Sequence, residues 1–191
     1  MILLAQSIER FRPTYRARSV ASIDFATLAE MGIRFAIIDL DGTITPTLSP
    51  SVCPDSIQNL LGAKANSWLL EACLLSNCWF YLMSKRVETI ARATGLKHHA
   101  CWWPRPTKPH SRAFEEALSQ MSGATADNTV VIGDQFGTDI LGANRFRPRI
   151  RSIWVPSIEP IPLWKRITLE VINQHRLRAL GEIPEAPTRV Y

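Results

Sequence analysis

Apolar residues in this chain fall into short continuous runs, separated by stretches in which they recur at helical spacing. Residues 34–38 (Arg-Phe-Ala-Ile-Ile) read as a buried strand. Residues 66–75 then read as a helix with Trp68, Leu69, Ala72 and Cys73 on its apolar side and Asn77 as its left-handed stop. The run 78–83 (Cys-Trp-Phe-Tyr-Leu-Met) reads as a second buried strand, and Ser84 caps a helix carrying Val87, Ile90, Ala91 and Thr94 up to Gly95. A short extended piece at 100–103, a helix at 111–121 and apolar runs at 129–132 and 150–155 complete the pattern. The stretch 46–54 reads as a proline-punctuated loop, and 156–162 separates the core from a basic C-terminal helix at about 162–180. Continuous apolar strands joined through helices imply an α/β fold whose mainly parallel sheet is covered on both faces.

Length and composition narrow this picture. The 191 residues suit a single domain with its core at about 30–156, and with 46% hydrophobic and 20% charged residues a folded chain is the expectation. The net charge of +5 favours anionic partners without choosing among them. Cys53, Cys73, Cys78 and Cys101 include no Cys-x-x-Cys pair, which fits a reduced, cytoplasmic protein. His98, His99 and Cys101 make a loose group that lacks a well-spaced fourth metal ligand. The first five residues are too short for a signal core, and the apolar tract 68–83 is interrupted by Glu71, Ser76 and Asn77, so no membrane span is expected. No aromatic-basic motif for nucleic acid is present.

The candidate chemistry begins at Asp39-Leu40-Asp41-Gly42-Thr43, directly after the first apolar run. Two carboxylates one residue apart leave a strand end on the same side. That pairing is costly without a cation nearby, and magnesium with a phosphate supplies one. Three further polar elements follow at strand ends or helix starts: Ser84, Lys108-Pro109, and Gly133-Asp134-Gln135 leading to Thr138-Asp139. Open parallel sheets bind ligands at that edge. For phosphoryl transfer, Asp39 suits the nucleophile and Asp41 the proton donor and later base. Asp39, Asp134 and the main-chain carbonyl of Asp41 suit Mg2+, while Asp139 suits a metal-bound water or Lys108. Lys108 and Ser84, with Gly42, Thr43 and Lys85 beside them, suit the phosphoryl oxygens. Each element has an ordinary structural use as a turn, a helix cap or a solvated lysine; their joint order is what carries the reading.

The order Asp39-x-Asp41-x-Thr43, Ser84, Lys108, Asp134-x-x-x-x-Asp139 resembles the haloacid dehalogenase (HAD) superfamily. The stretch from Val131 to Arg145 is similar to its class III YqeG-like members, relatives of phosphatidylglycerophosphate phosphatases. The likeness implies a Rossmannoid three-layer sandwich and a magnesium-dependent phosphomonoesterase working through an aspartyl phosphate. Gly42 stands where YqeG-like proteins carry Asn, and Ser84-Lys85 where they carry Ser-Asn; a Ser76-Asn77 pair lies upstream, before an apolar run. Residues 44–65 and 96–107 are too short for a large cap domain, which favours a large or membrane-held substrate such as a phospholipid head group. Arginines 145, 147, 149 and 151, and a C-terminal helix bearing Trp164, Ile167, Val171 and Ile172 with Lys165, Arg166, Arg176 and Arg178, suit peripheral contact with an anionic inner membrane surface. The same helix equally suits docking on the core. The alternatives are a phosphatase for a soluble sugar or nucleotide monophosphate and a non-enzymatic receiver-like module, whose acidic pair and phosphorylated Asp stand in a different order.

Overall fold

The strand before Asp39 is flanked on both sides by equally apolar strands, and the sheet grows outward from it. A computed structural model describes residues 8–78, 81–102, 106–159, 163 and 171–188. Six strands, β1 (Tyr15–Arg16), β2 (Phe35–Ile38), β3 (Glu71–Asn77), β4 (Lys97–Cys101), β5 (Thr129–Gly133) and β6 (Arg151–Trp154), form one sheet in the order β1-β6-β5-β2-β3-β4. Every pairing is parallel. The described helices are α1 (Phe25–Glu30), α2 (Pro54–Ala65), α3 (Tyr81–Thr94), α4 (Ser111–Ser119), α5 (Leu141–Arg145) and α6 (Val171–Leu180). A π-helical turn, Phe136–Ile140, precedes α5.

Alternation along β2 divides the core in two. Ala36 and Ile38 join Leu60, Leu74, Val87, Ile90 and Ile132 on one face. Phe35 and Ile37 join Cys73, Leu75, Phe114, Ala117 and Val131 on the other. All four β2 side chains are therefore buried, which is why the run reads as uninterrupted apolar sequence. The α/β class, the parallel sheet and its cover of helices are as expected. In the described residues, the connection from β2 to β3 carries only α2, and that from β3 to β4 only α3. Leu60 and Ala63 of α2 pack into the core, so this helix is part of the sandwich and forms no cap over the sheet end.

The stretch 66–83 departs from expectation. The helix expected at 66–75 and the strand expected at 78–83 are replaced by strand β3 at Glu71–Asn77 and by helix α3, which is already under way at Tyr81. Trp79 and Phe80 lie outside the described residues. The cause is the apolar tract itself: a short continuous apolar run carries no period that separates a buried strand from a buried helix. Helix α2 begins inside the expected loop, with Pro54 in its first turn. Its buried Asn59 donates to the carbonyls of Val20 and Ile23, at 3.0 and 2.9 Å, and so interrupts the apolar pattern of a core-facing helix.

At the C-terminus, α6 docks on the core: Leu177 and Leu180 pack with Phe136, Ile140 and Ile183. Arg12 donates to the carbonyls of Leu180 and Glu182, at 2.7 and 3.1 Å. The expected membrane-facing residues 164–167 lie outside the described residues. No described helix is long and apolar enough to cross a membrane.

Gly142 on α5 is held tightly: a methyl group there would collide with a Phe114 ring carbon and come within 3.3 Å of the Pro109 Cα. Gly142→Ala is therefore expected to lower stability by about 1–3 kcal/mol, read as a lower urea midpoint. An unchanged midpoint would contradict this packing.

Candidate active site

Strand order reverses between β2 and β5, so the carboxyl ends of these neighbours bound the switch-point crevice of the sheet. Asp39 follows β2, its N–H donating to the Ile132 carbonyl at 2.9 Å, and Asp134 follows β5. The chain then turns through Gly42, whose φ of +95° lies in the region that favours glycine, while the N–H groups of Thr43, Ile44 and Thr45 all reach the Leu40 carbonyl. Thr43 is buried, and its Oγ1 has no hydrogen-bond partner among the described residues.

Lys108 is buried at the centre of this crevice. Its Nζ donates to Asp39 Oδ1 at 2.6 Å and to Asp139 Oδ1 at 2.7 Å. The π-helical turn brings Asp139 back to the strand end, where its Oδ2 accepts the Gln135 N–H at 3.1 Å. This return needs Gly133, because a Cβ there would collide with the Asp139 carboxyl group. Asp134 is anchored from outside the cluster: Ser157 donates to its Oδ2, and the Trp154 indole donates to its carbonyl at 2.8 Å. Asn77, at the end of β3, brackets the Lys108 main chain, accepting its N–H at 2.8 Å and donating to its carbonyl at 3.0 Å.

The charges do not balance within the protein. Burial pushes the Asp39 carboxyl up to about 8, and Asp139 and Asp134 push the same way against the pull of Lys108. Lys108 moves upward as well, because the attraction of Asp139 and Asp39 outweighs its own desolvation. One lysine thus faces three buried carboxylates. Atoms from Asp39, Asp134 and Asp139 lie within 4.8 Å of one another, the only such acidic, histidine or cysteine group among the described residues. An all-oxygen donor set with excess negative charge fits a hard divalent cation. The His98, His99 and Cys101 group does not assemble in this way; His99 instead meets Glu116 at 2.9 Å. Burial also pushes the Cys78 thiol up to about 11 and that of Cys73 to about 12, which leaves neither suited to nucleophilic work at neutral pH.

The expected residues thus divide. Asp39, Lys108, Asp134 and Asp139 converge, with Gly42 and Thr43 on the adjoining turn. Asp41 is not one of the three clustered carboxylates and forms an ion pair with Arg86 at 2.8 Å. Ser84 and Lys85 do not sit at a strand end. They lie in the first turns of α3, where the exposed Ser84 hydroxyl donates to the Tyr81 carbonyl at 2.7 Å and Lys85 pairs with Glu88 at 2.8 Å. The strand end belongs to Ser76-Asn77. Arg86, Asn77 and Ser157 were not anticipated as site residues. The Ser76-Asn77 pair was a usable signal for Asn77; nothing local marks Arg86 or Ser157.

Known proteins offer three comparisons. A family model described as HAD-hydrolase-like matches residues 106–157, the part that contains Lys108, Asp134 and Asp139. The chain is 27% identical over 135 residues to the probable phosphatase YqeG of Bacillus subtilis (strain 168), covering 71% of this chain and 72% of that protein. Among solved structures, an uncharacterized protein from Corynebacterium glutamicum aligns at a TM-score of 0.49 with 16% identity, over 79% of this chain and 99% of its own. Another aligns at 0.50 with 17% identity, over 78% and 81%, a likeness of fold alone.

A raised carboxyl pKa has a definite sign. An acid whose folded pKa exceeds its ordinary value of 3.8 supports the metal-free fold at low pH, and that support fades as pH rises through about 8. A bound cation displaces the same proton. Added Mg2+ is therefore expected to raise the melting temperature more above this transition than below it, the stabilisation at 100 times Kd being about 2.7 kcal/mol. Thermal melts of Asp134→Asn should show little of this gain. A shift of the same size in that variant would exclude the acidic cluster as the site.

Proposed function

We propose, of a chain that belongs to the HAD superfamily as a YqeG-like phosphoric monoester hydrolase, that Asp39 is the nucleophile of a magnesium-dependent reaction through an aspartyl phosphate. The observation that carries this reading is the buried Lys108 bridging Asp39 and Asp139 beside Asp134. Asp39, Asp134 and the main-chain carbonyl of Asp41 would hold Mg2+, with Asp139 holding Lys108. When bound, the ion supplies the positive charge that lets a phosphate dianion approach these carboxylates.

Asp39 attacks phosphorus as the bond to the leaving oxygen breaks, and Asp41 gives that oxygen its proton. Asp41 then takes a proton from the water that releases phosphate from Asp39. Lys108 balances charge at the nucleophile and the phosphoryl oxygens. The buried Thr43 hydroxyl suits a phosphoryl oxygen, and Ser76, the last buried residue of β3, suits a second one better than Ser84, whose hydroxyl is turned into its own helix. On this reading the 191 residues act as one phosphatase unit.

Among the described residues neither the β2–β3 nor the β3–β4 connection carries a cap, which supports a substrate whose leaving group extends out of the crevice. We take phosphatidylglycerophosphate, hydrolysed at a membrane surface, as the first candidate. A second reading, a soluble sugar or nucleotide phosphate, draws on one observation. The arginine tract lies at the amino end of β6, opposite the carboxylates: Arg149 reaches the Arg12 carbonyl and Arg151 that of Asp127, at 2.9 and 2.6 Å. Those arginines are poorly placed to hold a lipid surface against the crevice.

Asp39→Asn is expected to lower turnover by roughly 10³-fold or more, with the fold kept. Near-normal hydrolysis by that variant would remove Asp39 from the chemistry. Substrate class is read by parallel phosphate-release assays on phosphatidylglycerophosphate in anionic vesicles and on soluble monoesters. A higher kcat/KM on the vesicles is expected, and preference for a soluble ester would reject the lipid reading.

A further inference from the structure

Arg86 takes no part in the phosphate chemistry above, yet most of its hydrogen-bonding capacity is spent on the loop that follows the nucleophile. It stands on α3, and both it and Asp41 are largely buried, with side chains 16% exposed. Its Nη1 donates to Asp41 Oδ2 at 3.0 Å and its Nη2 to Asp41 Oδ1 at 2.8 Å, a two-point fork. Nη2 also donates to Thr45 Oγ1 at 3.1 Å and Nε to the Ser49 carbonyl at 2.9 Å. A second feature points to the same carboxylate. Leu48 holds a left-handed backbone with φ of +61°, unfavourable for a leucine, and its N–H donates to Asp41 Oδ1 at 2.6 Å.

We propose that Arg86 is a positioning residue for proton transfer, its planar fork fixing the plane and direction of the Asp41 carboxylate. The inference rests on the reading of Asp41 as acid and base. In the first half-reaction the Asp39–phosphorus bond forms, the bond to the leaving oxygen breaks, and the Asp41 proton moves to that oxygen. In the second, water bonds phosphorus, its proton passes to Asp41, and the Asp39–phosphorus bond breaks. Each transfer needs a carboxyl oxygen within hydrogen-bond reach of the reacting oxygen. A carboxylate offers about four lone-pair sites, so a fork on two of them sets its orientation without using them all. Lysine carries the same charge but cannot make the fork.

Leaving-group chemistry supplies a test that a purely structural role would not pass. An alkoxide leaves poorly without a proton, whereas p-nitrophenolate leaves readily as an anion. Single-turnover cleavage of an alkyl phosphomonoester by Arg86→Gln is expected to slow by about 10²-fold, with the p-nitrophenol burst little changed. Arg86→Lys should show the same selective loss, and Asp41→Asn a larger one. Equal losses on the two substrates, or full activity in Arg86→Lys, would overturn the proposal. If Asp41→Asn itself shows no leaving-group selectivity, the acid–base reading of Asp41 fails first. If Asp41→Asn is selective and Arg86→Gln is not, only the positioning role falls.

Discussion

Three carboxylates buried around one lysine are the constraint on which this structure turns. Isolated charges in a low-dielectric interior are strongly disfavoured, and Asp39, Asp134 and Asp139 are tolerable only with their partners in place. Much of the surrounding architecture serves that need. The switch between β2 and β5 sets Asp39 beside Asp134. Gly133 leaves room for Asp139, Asn77 fixes the main chain of Lys108, and Ser157 and Trp154 hold Asp134 from the outside. A buried cluster of this kind adds little to stability in itself; on the proposed reading it provides a preorganised charge distribution for a phosphate and a metal ion.

The β2 and β5 runs and the acidic motifs after them were legible because both rest on local rules. A strand buried on two faces is continuously apolar, and residues just past its end face the crevice. Hence Asp39 and Asp134 were found with the strands that carry them, and Lys108 and Asp139 with the helix starts that follow. The region 66–83 was not legible, since β3 and the start of α3 adjoin within one apolar tract, and the helical period of α3 shows only from Val87 onward. The displaced boundary left Ser84 on α3 and put Ser76-Asn77 at the strand end instead. Arg86 was beyond reach for another reason: its partner Asp41 is remote in sequence, and nothing in the helix marks which exposed-looking arginine folds back onto a loop.

The C-terminal helix also takes on a different meaning in three dimensions. Its apolar positions Leu177 and Leu180 are used against Phe136 and Ile140, and its Asn173 donates to the Asp134 carbonyl at 3.4 Å. The arginine tract serves the opposite end of the sheet, where Arg149 and Arg151 tie loops together through main-chain carbonyls. Two sequence features that share a basic, amphipathic look are thus both spent on the fold itself, and they meet at Arg12, whose side chain donates to the Leu180 carbonyl and whose own carbonyl accepts from Arg149.

The π-helical turn at Phe136–Ile140 carries a consequence for how this site can drift. Because each residue of a helical turn rotates the side chains that follow it, removing one residue between Gly133 and Asp139 would swing the carboxylate away from Lys108. Phe136 and Ile140 in that turn are buried and Gly137 and Thr138 half-buried, so packing as well as residue count returns Asp139 to the strand end. A change in the length of this turn would therefore disarm the site without touching any of its charged residues.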